Sequence, residues 1–266
     1  MAWQVAALRI GANGFPRSKA YYGYRSYGEP DARFQMTFYL WVVRRGEDVV
    51  VVDTGYDEAW FERRGAGVPW AIAPQDALAA AGVDPRAVPT VILTHLHFDH
   101  IGGVRLFPNA EYVLQRAEWN FWHGELGRRP PMRAHTDTGC LDYLGDAMAD
   151  GRVRLCDGRA AVRDGVEVLP LPGHTPGQQG VLVDGGLVLA GDAVHLYEEL
   201  DARRLFATFT DAEAMYDSYG VLRALAARGA EVVPGHDPAV MERFPPLLAT
   251  RPTVGVNLRA QGVSLP

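Results

Sequence analysis

The sequence is poor in cysteine: Cys140 and Cys156 are the only two among 266 residues. Two cysteines are too few for a disulfide framework, and they lack the close spacing of a zinc knuckle, so we expect plain core thiols in a reducing compartment. Residues 1–10 also lack the charged start and the cleavage site of a signal peptide. These absences together predict a cytoplasmic protein.

Long apolar runs and an excess of positive charge are absent as well. The apolar run at 38–43 ends at two arginines, far short of the roughly 20 residues that a membrane-spanning helix requires. The 26 Lys and Arg are interspersed with 32 Asp and Glu, so no basic stripe is available for nucleic acid. With 48% hydrophobic residues, the chain has an ordinary globular composition. We expect one domain over residues 1–266, with neither nucleic acid nor membrane as a partner.

Apolar, β-branched segments recur along the chain with short helical segments between them. Residues 34–43 and 49–52 predict a β-hairpin whose second strand is buried on both faces. The last predicted helix begins with a capping box of Thr210 and Glu213. Strands dominate each half, which favours an α/β sandwich. Further strands are expected at 90–94, 111–115, 166–169, 180–183, 187–190 and 231–233, and helices at 74–82, 116–123 and 211–228.

The most specific feature is the hexapeptide HLHFDH, which directly follows a predicted buried strand. In an extended chain, alternate side chains face the same side, so His95, His97 and Asp99 are expected to converge. Leu96 and Phe98 are then expected to turn into the core. On a helix, the first two histidines would point about 200° apart, which excludes a helical zinc site.

Three further candidates stand beside glycines after predicted strands: His174 in PGHTPG, Asp192 in AGD and His236 in PGHD. A single buried histidine is more often a core residue bonded to a carbonyl group. Five imidazoles meeting at one point would leave buried ring nitrogens unpaired, whereas divalent cations satisfy them. The sequence therefore predicts a metal centre. Its imidazole and carboxylate donors suit Zn²⁺ first, with Fe or Mn as alternatives.

In this order, HLHFDH, PGHTPG, AGD and PGHD, preceded by VVDTG, resemble the signature of the metallo-β-lactamase superfamily over about residues 36–237. The resemblance implies an α/β fold, the four-layer αβ/βα sandwich, with two divalent metal ions at one edge of its sheets. Asp53 is expected to orient a ligand histidine. The resemblance implies His95, His97 and His174 as ligands of the first metal, Asp99, His100 and His236 as ligands of the second, and Asp192 as the bridge between them.

Within the superfamily, the chain is most similar to the N-acyl-homoserine lactonase group, by its VDTGY strand, the IGG that follows HLHFDH, and its AGDA segment. This similarity implies that a lactone ring opens by attack of a hydroxide that bridges the two metals, and Asp99 is expected to pass a proton to the leaving alkoxide. A tyrosine three residues after the bridging aspartate helps that group hold the lactone carbonyl. Here His195 occupies that position, and Tyr197 is the nearest tyrosine, so both are candidates.

The substrate is expected to be a small molecule with a lactone or ester carbonyl. Residues 1–35 are interpreted as an N-terminal extension that lines the substrate pocket or the interface of a homodimer; the alternative is a hairpin packed on its own sheet. A glyoxalase-type thioester hydrolase, a mononuclear-iron persulfide dioxygenase and a non-catalytic metal-binding protein are the alternative functions. The aromatic residues that suggest the pocket or interface are Phe15, Tyr21, Tyr22, Tyr24 and Tyr27, with Trp119, Phe121 and Trp122.

Overall fold

The computed structural model describes residues 1–63, residue 68 and residues 70–259. Its strands are β1 Gln4–Pro16, β2 Arg33–Arg45, β3 Asp48–Val52, β4 Thr90–Ile92, β5 Glu111–Gln115, β6 Val153–Cys156, β7 Ala160–Arg163, β8 Val166–Pro170, β9 Gln179–Val183, β10 Leu187–Leu189, β11 Glu231–Val233 and β12 Gly255–Arg259. Its α-helices are α1 Arg17–Ala20, α2 Glu58–Glu62, α3 Pro74–Ala80, α4 Phe98–Ile101, α5 Arg116–His123, α6 Pro130–Arg133, α7 Thr138–Ala149, α8 Tyr197–Ala202, α9 Ala212–Ala226 and α10 Val240–Arg243. Single 3₁₀ turns lie at Tyr24–Tyr27, Pro85–Ala87, Val104–Leu106 and Gly191–Ala193.

The strands form two mixed sheets. The larger has the order β12-β1-β2-β3-β4-β5-β6, and the smaller has the order β11-β10-β9-β8-β7. In the larger sheet, β3, β4, β5 and β6 are parallel neighbours. In the smaller sheet, β10 and β11 are parallel. The chain therefore returns through helices between the parallel strands, and the ends of those strands are free to carry loops.

Alternation along β2 shows how the layers are built. Phe38, Leu40 and Val42 pack with the helices outside the larger sheet. Tyr39 and Trp41, on the other face of the same strand, pack against strands of the smaller sheet. Helix α9 covers the outer face of the smaller sheet. The layers are thus helix, sheet, sheet and helix, as the four-layer sandwich requires.

Most of the predicted elements are confirmed. Strand β2 pairs with β3 as a hairpin, and Val50, Val51 and Val52 are fully buried. The strands at 111–115 and 231–233 and the helix at 116–123 have the expected bounds, and the others agree within two residues. The capping box is wrong: the side chain of Asp211 caps α9 by accepting a hydrogen bond from the Ala214 N–H at 3.1 Å.

The first 35 residues contribute a strand to the larger sheet. Strand β1 lies between β12 and β2 in the larger sheet and pairs with β2 along nearly its whole length. The segment after it packs Tyr21 and Tyr24 against Met36 and Phe206. Within the described residues, we find no helix long and apolar enough to cross a bilayer.

Candidate metal centre

Every predicted metal ligand follows the carboxyl end of a strand. His95 to His100 follow β4 of the larger sheet. His174, Asp192 and His236 follow β8, β10 and β11 of the smaller sheet. The two sheets therefore contribute ligands from opposite sides of one edge of the sandwich, and all of these side chains are buried.

The first group of ligand atoms comes from His95, His97, His174 and Asp192, and these atoms lie within 4.8 Å of one another. The Nδ1 atom of His97 is 2.8 Å from the Nε2 atom of His174. The Oδ2 atom of Asp192 is 3.4 Å from the Nε2 atom of His174 and 3.9 Å from that of His95. Three imidazoles and one carboxylate thus surround a space small enough for a single ion.

The second group consists of Asp99, His100 and His236. The Oδ2 atom of Asp99 is 3.8 Å from the Nε2 atom of His100 and 3.7 Å from that of His236. The other carboxylate oxygen of Asp192, Oδ1, lies 3.2 and 3.0 Å from the same two nitrogens. Asp192 therefore presents one oxygen to each group, as a bridging ligand would.

The local backbone explains how one hexapeptide reaches both groups. His97 is extended, with φ −73° and ψ 156°, and α4 begins at the next residue. The expectation that Asp99 shares an extended face with His95 and His97 is therefore wrong, because the helical turn redirects Asp99 and His100 to the second group. Phe98 was also expected in the core, but it is half-buried and stacks on Trp60 with ring centroids 3.6 Å apart.

Hydrogen bonds on the far side of three imidazoles fix their orientation. In each, Nδ1 faces an acceptor, so Nε2 is the nitrogen that points to the ligand groups, as in metal-bound histidines generally. The acceptors are a carboxylate oxygen of Asp53 for His100, at 2.8 Å, and the carbonyl oxygens of Thr208 and Thr37 for His174 and His236, at 2.8 and 2.9 Å.

The atoms that face the two groups include several that are buried without a hydrogen-bond partner. These are the Nε2 atoms of His95, His100 and His236 and the Oδ1 atom of Asp192. Leaving such atoms unpaired in a protein interior costs free energy, whereas a divalent cation would satisfy all of them. The donor set of imidazole nitrogens and carboxylate oxygens fits Zn²⁺, Fe or Mn.

The electrostatics differ between the groups. Burial and then the neighbouring imidazoles lower the pKa of His95 and His97 well below the usual range, and burial lowers the pKa of His174 to about 3. These three are therefore neutral at pH 7, the form that binds metal. Burial also opposes protonation of His100, but Asp192 and Asp53 together raise its pKa well above the ordinary value. A cation in the second group must displace that proton.

One glycine next to a ligand is required by the close approach of two loops. A Cβ on Gly235 would lie 2.8 Å from the carbonyl oxygen of Gly191 and 2.9 Å from Asp192 Oδ1. Any side chain there would separate the loops that carry Asp192 and His236.

Residues 39–236 match the metallo-beta-lactamase superfamily. The chain belongs to this superfamily. Solved structures share its fold over most of its length. A quorum-quenching N-acyl homoserine lactone lactonase covers 90% of this chain and 93% of its own at a TM-score of 0.72 and 22% identity. AidC, a dizinc quorum-quenching lactonase, covers 89% and 88% at a TM-score of 0.70 and 19% identity. The four-layer metallo-β-lactamase fold expected from the sequence is confirmed.

Curated proteins that are similar to this chain in sequence are named as lactonases. The N-acyl homoserine lactonase AttM of Azorhizobium caulinodans is 32% identical over 181 residues, which are 62% of this chain and 64% of AttM. An N-acyl homoserine lactonase of a Bacillus species is 26% identical over 226 residues, 78% of this chain and 84% of that protein. The alignment therefore spans somewhat less than two thirds of AttM's length.

The structure separates the two candidates for the tyrosine position of the lactonase group. His195 is buried beside the ligands, with Nε2 3.2 Å from Asp192 Oδ2 and Nδ1 3.3 Å from Glu199 Oε2, and its ring stacks on Phe206 at 3.7 Å. Burial opposes protonation, but the carboxylates of Glu199 and Asp192 raise the pKa of His195 to about 10. In the metal-free protein both nitrogens are therefore protonated, and Nε2 is a hydrogen-bond donor beside the two ligand groups.

Tyr197 turns the other way. Helix α8 begins at this residue, and its ring packs against the core between the sheets, with the Arg243 guanidinium 3.7 Å from the ring centroid. It is not among the described residues that line the cavity beside the ligands. The expected substrate contact by Tyr197 is therefore not supported by its placement.

A cavity of about 170 Å³ opens beside both ligand groups. Aromatic side chains form much of its wall, and the described lining includes no lysine or arginine. A second cavity of about 320 Å³ adjoins it and shares His97, His135, His174 and Thr208 with it. The first cavity is lined by Asn13, Phe15, Met36, Phe38, Phe61, His97, Phe98, Asp99, His135, His174, Asp192, His195, Phe206 and Thr208.

The aromatic residues singled out in the sequence divide between these cavities and other places. Phe15 lines the first cavity, and Phe121 and Trp122 line the second. Tyr21 and Tyr24 are buried in the adjoining cluster, Tyr22 and Tyr27 are exposed, and Trp119 stacks on His123. Sequence reasoning missed Glu118 and Glu199, two fully buried carboxylates near the ligands. Neither stands out in the sequence, because Glu199 lies in an acidic segment and Glu118 lies among other polar residues.

Proposed function

We propose that this protein is a dinuclear metal-dependent hydrolase that opens the lactone ring of N-acyl-homoserine lactone-like substrates. The observation that carries the proposal is the placement of two groups of metal-binding side chains in the wall of a cavity whose remaining lining is largely apolar. The lactonase names of the aligned relatives support it.

The two ions would be held as the superfamily resemblance implies, one by His95, His97 and His174 and the other by Asp99, His100 and His236, with Asp192 between them. Zn²⁺ is our first choice because nitrogen ligands predominate, with Fe or Mn as alternatives. When bound, such ions lower the pKa of a water ligand to about 7 and polarise a carbonyl group, which supplies a nucleophile at neutral pH.

Two side chains of the protein then have chemical roles of their own. Asp99 lines the cavity, and we propose that it passes the proton of the attacking hydroxide to the leaving alkoxide when the ring opens. His195 would donate a hydrogen bond from Nε2 to the substrate carbonyl oxygen, the role implied for the tyrosine in the lactonase group. Its Nδ1 contact with Glu199 holds the ring in that orientation.

The two adjoining cavities suit an uncharged substrate with an apolar tail. A lactone ring fits the smaller space beside the ligands, and an acyl chain would extend along Phe121, Trp122, Met132 and Phe209 in the larger one. A glutathione thioester carries carboxylates that need cationic partners, and the described lining offers no lysine or arginine. The pair of ligand groups likewise argues against a mononuclear-iron dioxygenase.

A pH-indicator assay on N-acyl homoserine lactones, simple esters, thioesters and β-lactams tests this proposal, with Asp192→Asn as the inactive control. We expect about two metal ions per chain in elemental analysis and the fastest hydrolysis on the lactones. Preferred hydrolysis of thioesters, or a single iron per chain, would refute it.

Three expectations from the sequence stay predictions: one domain over residues 1–266, a homodimer and a cytoplasmic location.

A further inference from the structure

Glu118, on the first turn of α5, is completely buried although it carries a carboxylate. Both of its oxygens accept hydrogen bonds. Oε1 accepts from the Leu96 backbone N–H at 2.9 Å and from the Trp122 indole N–H at 2.7 Å. Oε2 accepts from the Gly177 backbone N–H at 3.0 Å. A buried carboxylate with three donors is strongly held, because charge-assisted hydrogen bonds are the stronger ones.

The backbone partners of this carboxylate lie beside ligands of the first group, although the 95–100 loop also carries Asp99 and His100 of the second group. Leu96 stands between His95 and His97, and Gly177 lies in the PGHTPG loop that carries His174. The Trp122 ring in turn packs edge-on against His97, with centroids 5.5 Å apart. One side chain thus joins the larger-sheet and smaller-sheet halves of the first group.

The loop of Gly177 packs closely against the start of α5. A Cβ on Gly177 would lie 2.1 Å from the Glu118 backbone nitrogen and 2.4 Å from the Glu118 Cβ. The loop is therefore pressed directly on the start of α5. By contrast, His100 and His236 in the second group donate their orienting hydrogen bonds to Asp53 and to the Thr37 carbonyl, not to Glu118.

We propose that Glu118 is a positioning residue that sets the geometry of the first metal group selectively, by fixing the loops of His95, His97 and His174 relative to one another. The proposal rests on the metal centre of the proposed function. It assigns Glu118 no contact with substrate or metal, so its effect should appear in metal affinity at one group and not at the other.

Glu118→Gln is the sharpest test because it preserves the shape of the side chain. Glutamine has one oxygen, which would stay with the two donors Leu96 N–H and Trp122 Nε1–H. Its NH₂ group would then face the Gly177 N–H, so two donors meet where a hydrogen bond was. The loop of His174 should loosen while the protein remains folded.

The affinities are separated by measuring each group alone. In a His236→Ala background the first group remains, and in a His174→Ala background the second remains. Zn²⁺ and Co²⁺ titrations against a chelator should show that Glu118→Gln weakens binding about 10- to 100-fold in the first background. In the second background, affinity should stay within about twofold. Asp137→Asn is the matched control, because Asp137 also accepts backbone hydrogen bonds, from Gly139 and Cys140, and its ion pair is with Arg63; among the described residues we find no hydrogen bond from its side chain to either ligand loop.

Equal losses in both backgrounds, or no loss in either, would overturn the proposal while leaving the proposed function intact. A wild-type protein that binds neither Zn²⁺ nor Co²⁺ would overturn both. If Glu118→Gln fails to fold, Trp122→Phe removes one donor to Oε1 and should weaken only the first group, by a smaller factor; an unchanged affinity there would count against the proposal.

Discussion

Replacing Asp53 by asparagine should lower the affinity of the second ligand group for metal. The carboxylate of Asp53 is buried, with Oδ2 2.8 Å from His100 Nδ1 and Oδ1 2.8 Å from the Thr94 backbone nitrogen. A hydrogen bond to a charged group contributes about 1.5–3 kcal/mol, and each 1.4 kcal/mol is about a factor of ten. We therefore expect Zn²⁺ affinity at the second group to fall by about 10- to 100-fold.

Asparagine is the right substitution because Asp53 has a φ of 55°. Asparagine tolerates this left-handed region, whereas alanine would add backbone strain to the measurement. The assay is chelator competition in the His174→Ala background, with thermal unfolding of the metal-free protein as a check on folding. An affinity for Zn²⁺ equal to that of His174→Ala alone would refute the reasoning that Asp53 orients His100.

Three further results are expected. His195→Ala should lower turnover of lactones by about 100-fold while elemental analysis finds the metal content unchanged; equal turnover would remove His195 from the mechanism. Because the pKa of His100 is raised in the metal-free protein, Zn²⁺ affinity at the second group should fall by up to about tenfold per pH unit below neutrality, while the first group should be less sensitive; equal slopes in pH-dependent titrations would contradict this. Burial raises the pKa of Cys140 to about 12, so its thiol should resist iodoacetamide at pH 8 until the protein is unfolded, and rapid labelling of the folded protein would show otherwise.

The candidate metal ligands could be predicted from the sequence because each is marked by its immediate neighbours in the chain. Each candidate follows an apolar segment and stands beside a glycine or another histidine, and these signals survive without knowledge of the partner strand. What failed was the finer geometry. The conformation of Asp99 depends on where α4 begins, and the motif alone does not specify that the chain turns helical at Phe98.

The parts that sequence reasoning missed depend on distant partners. Strand β1 contains Gly11 and Gly14, which weaken a strand pattern, and it becomes evident through its long pairing with β2. Glu118 meets Leu96 and Gly177, which are 22 and 59 residues away in the chain. No periodicity within α5 indicates such contacts.

Each ligand group contains side chains that follow strands of both sheets, so each bound ion would link the two sheets to one another. The supply of metal during synthesis would therefore affect the stability of the fold as well as activity. Chains made in metal-poor medium would hold their two halves together at this edge by side-chain packing and by hydrogen bonds such as those of Glu118. Purification under chelating conditions would accordingly select against the native population, and the yield of intact protein would follow the metal content of the growth medium.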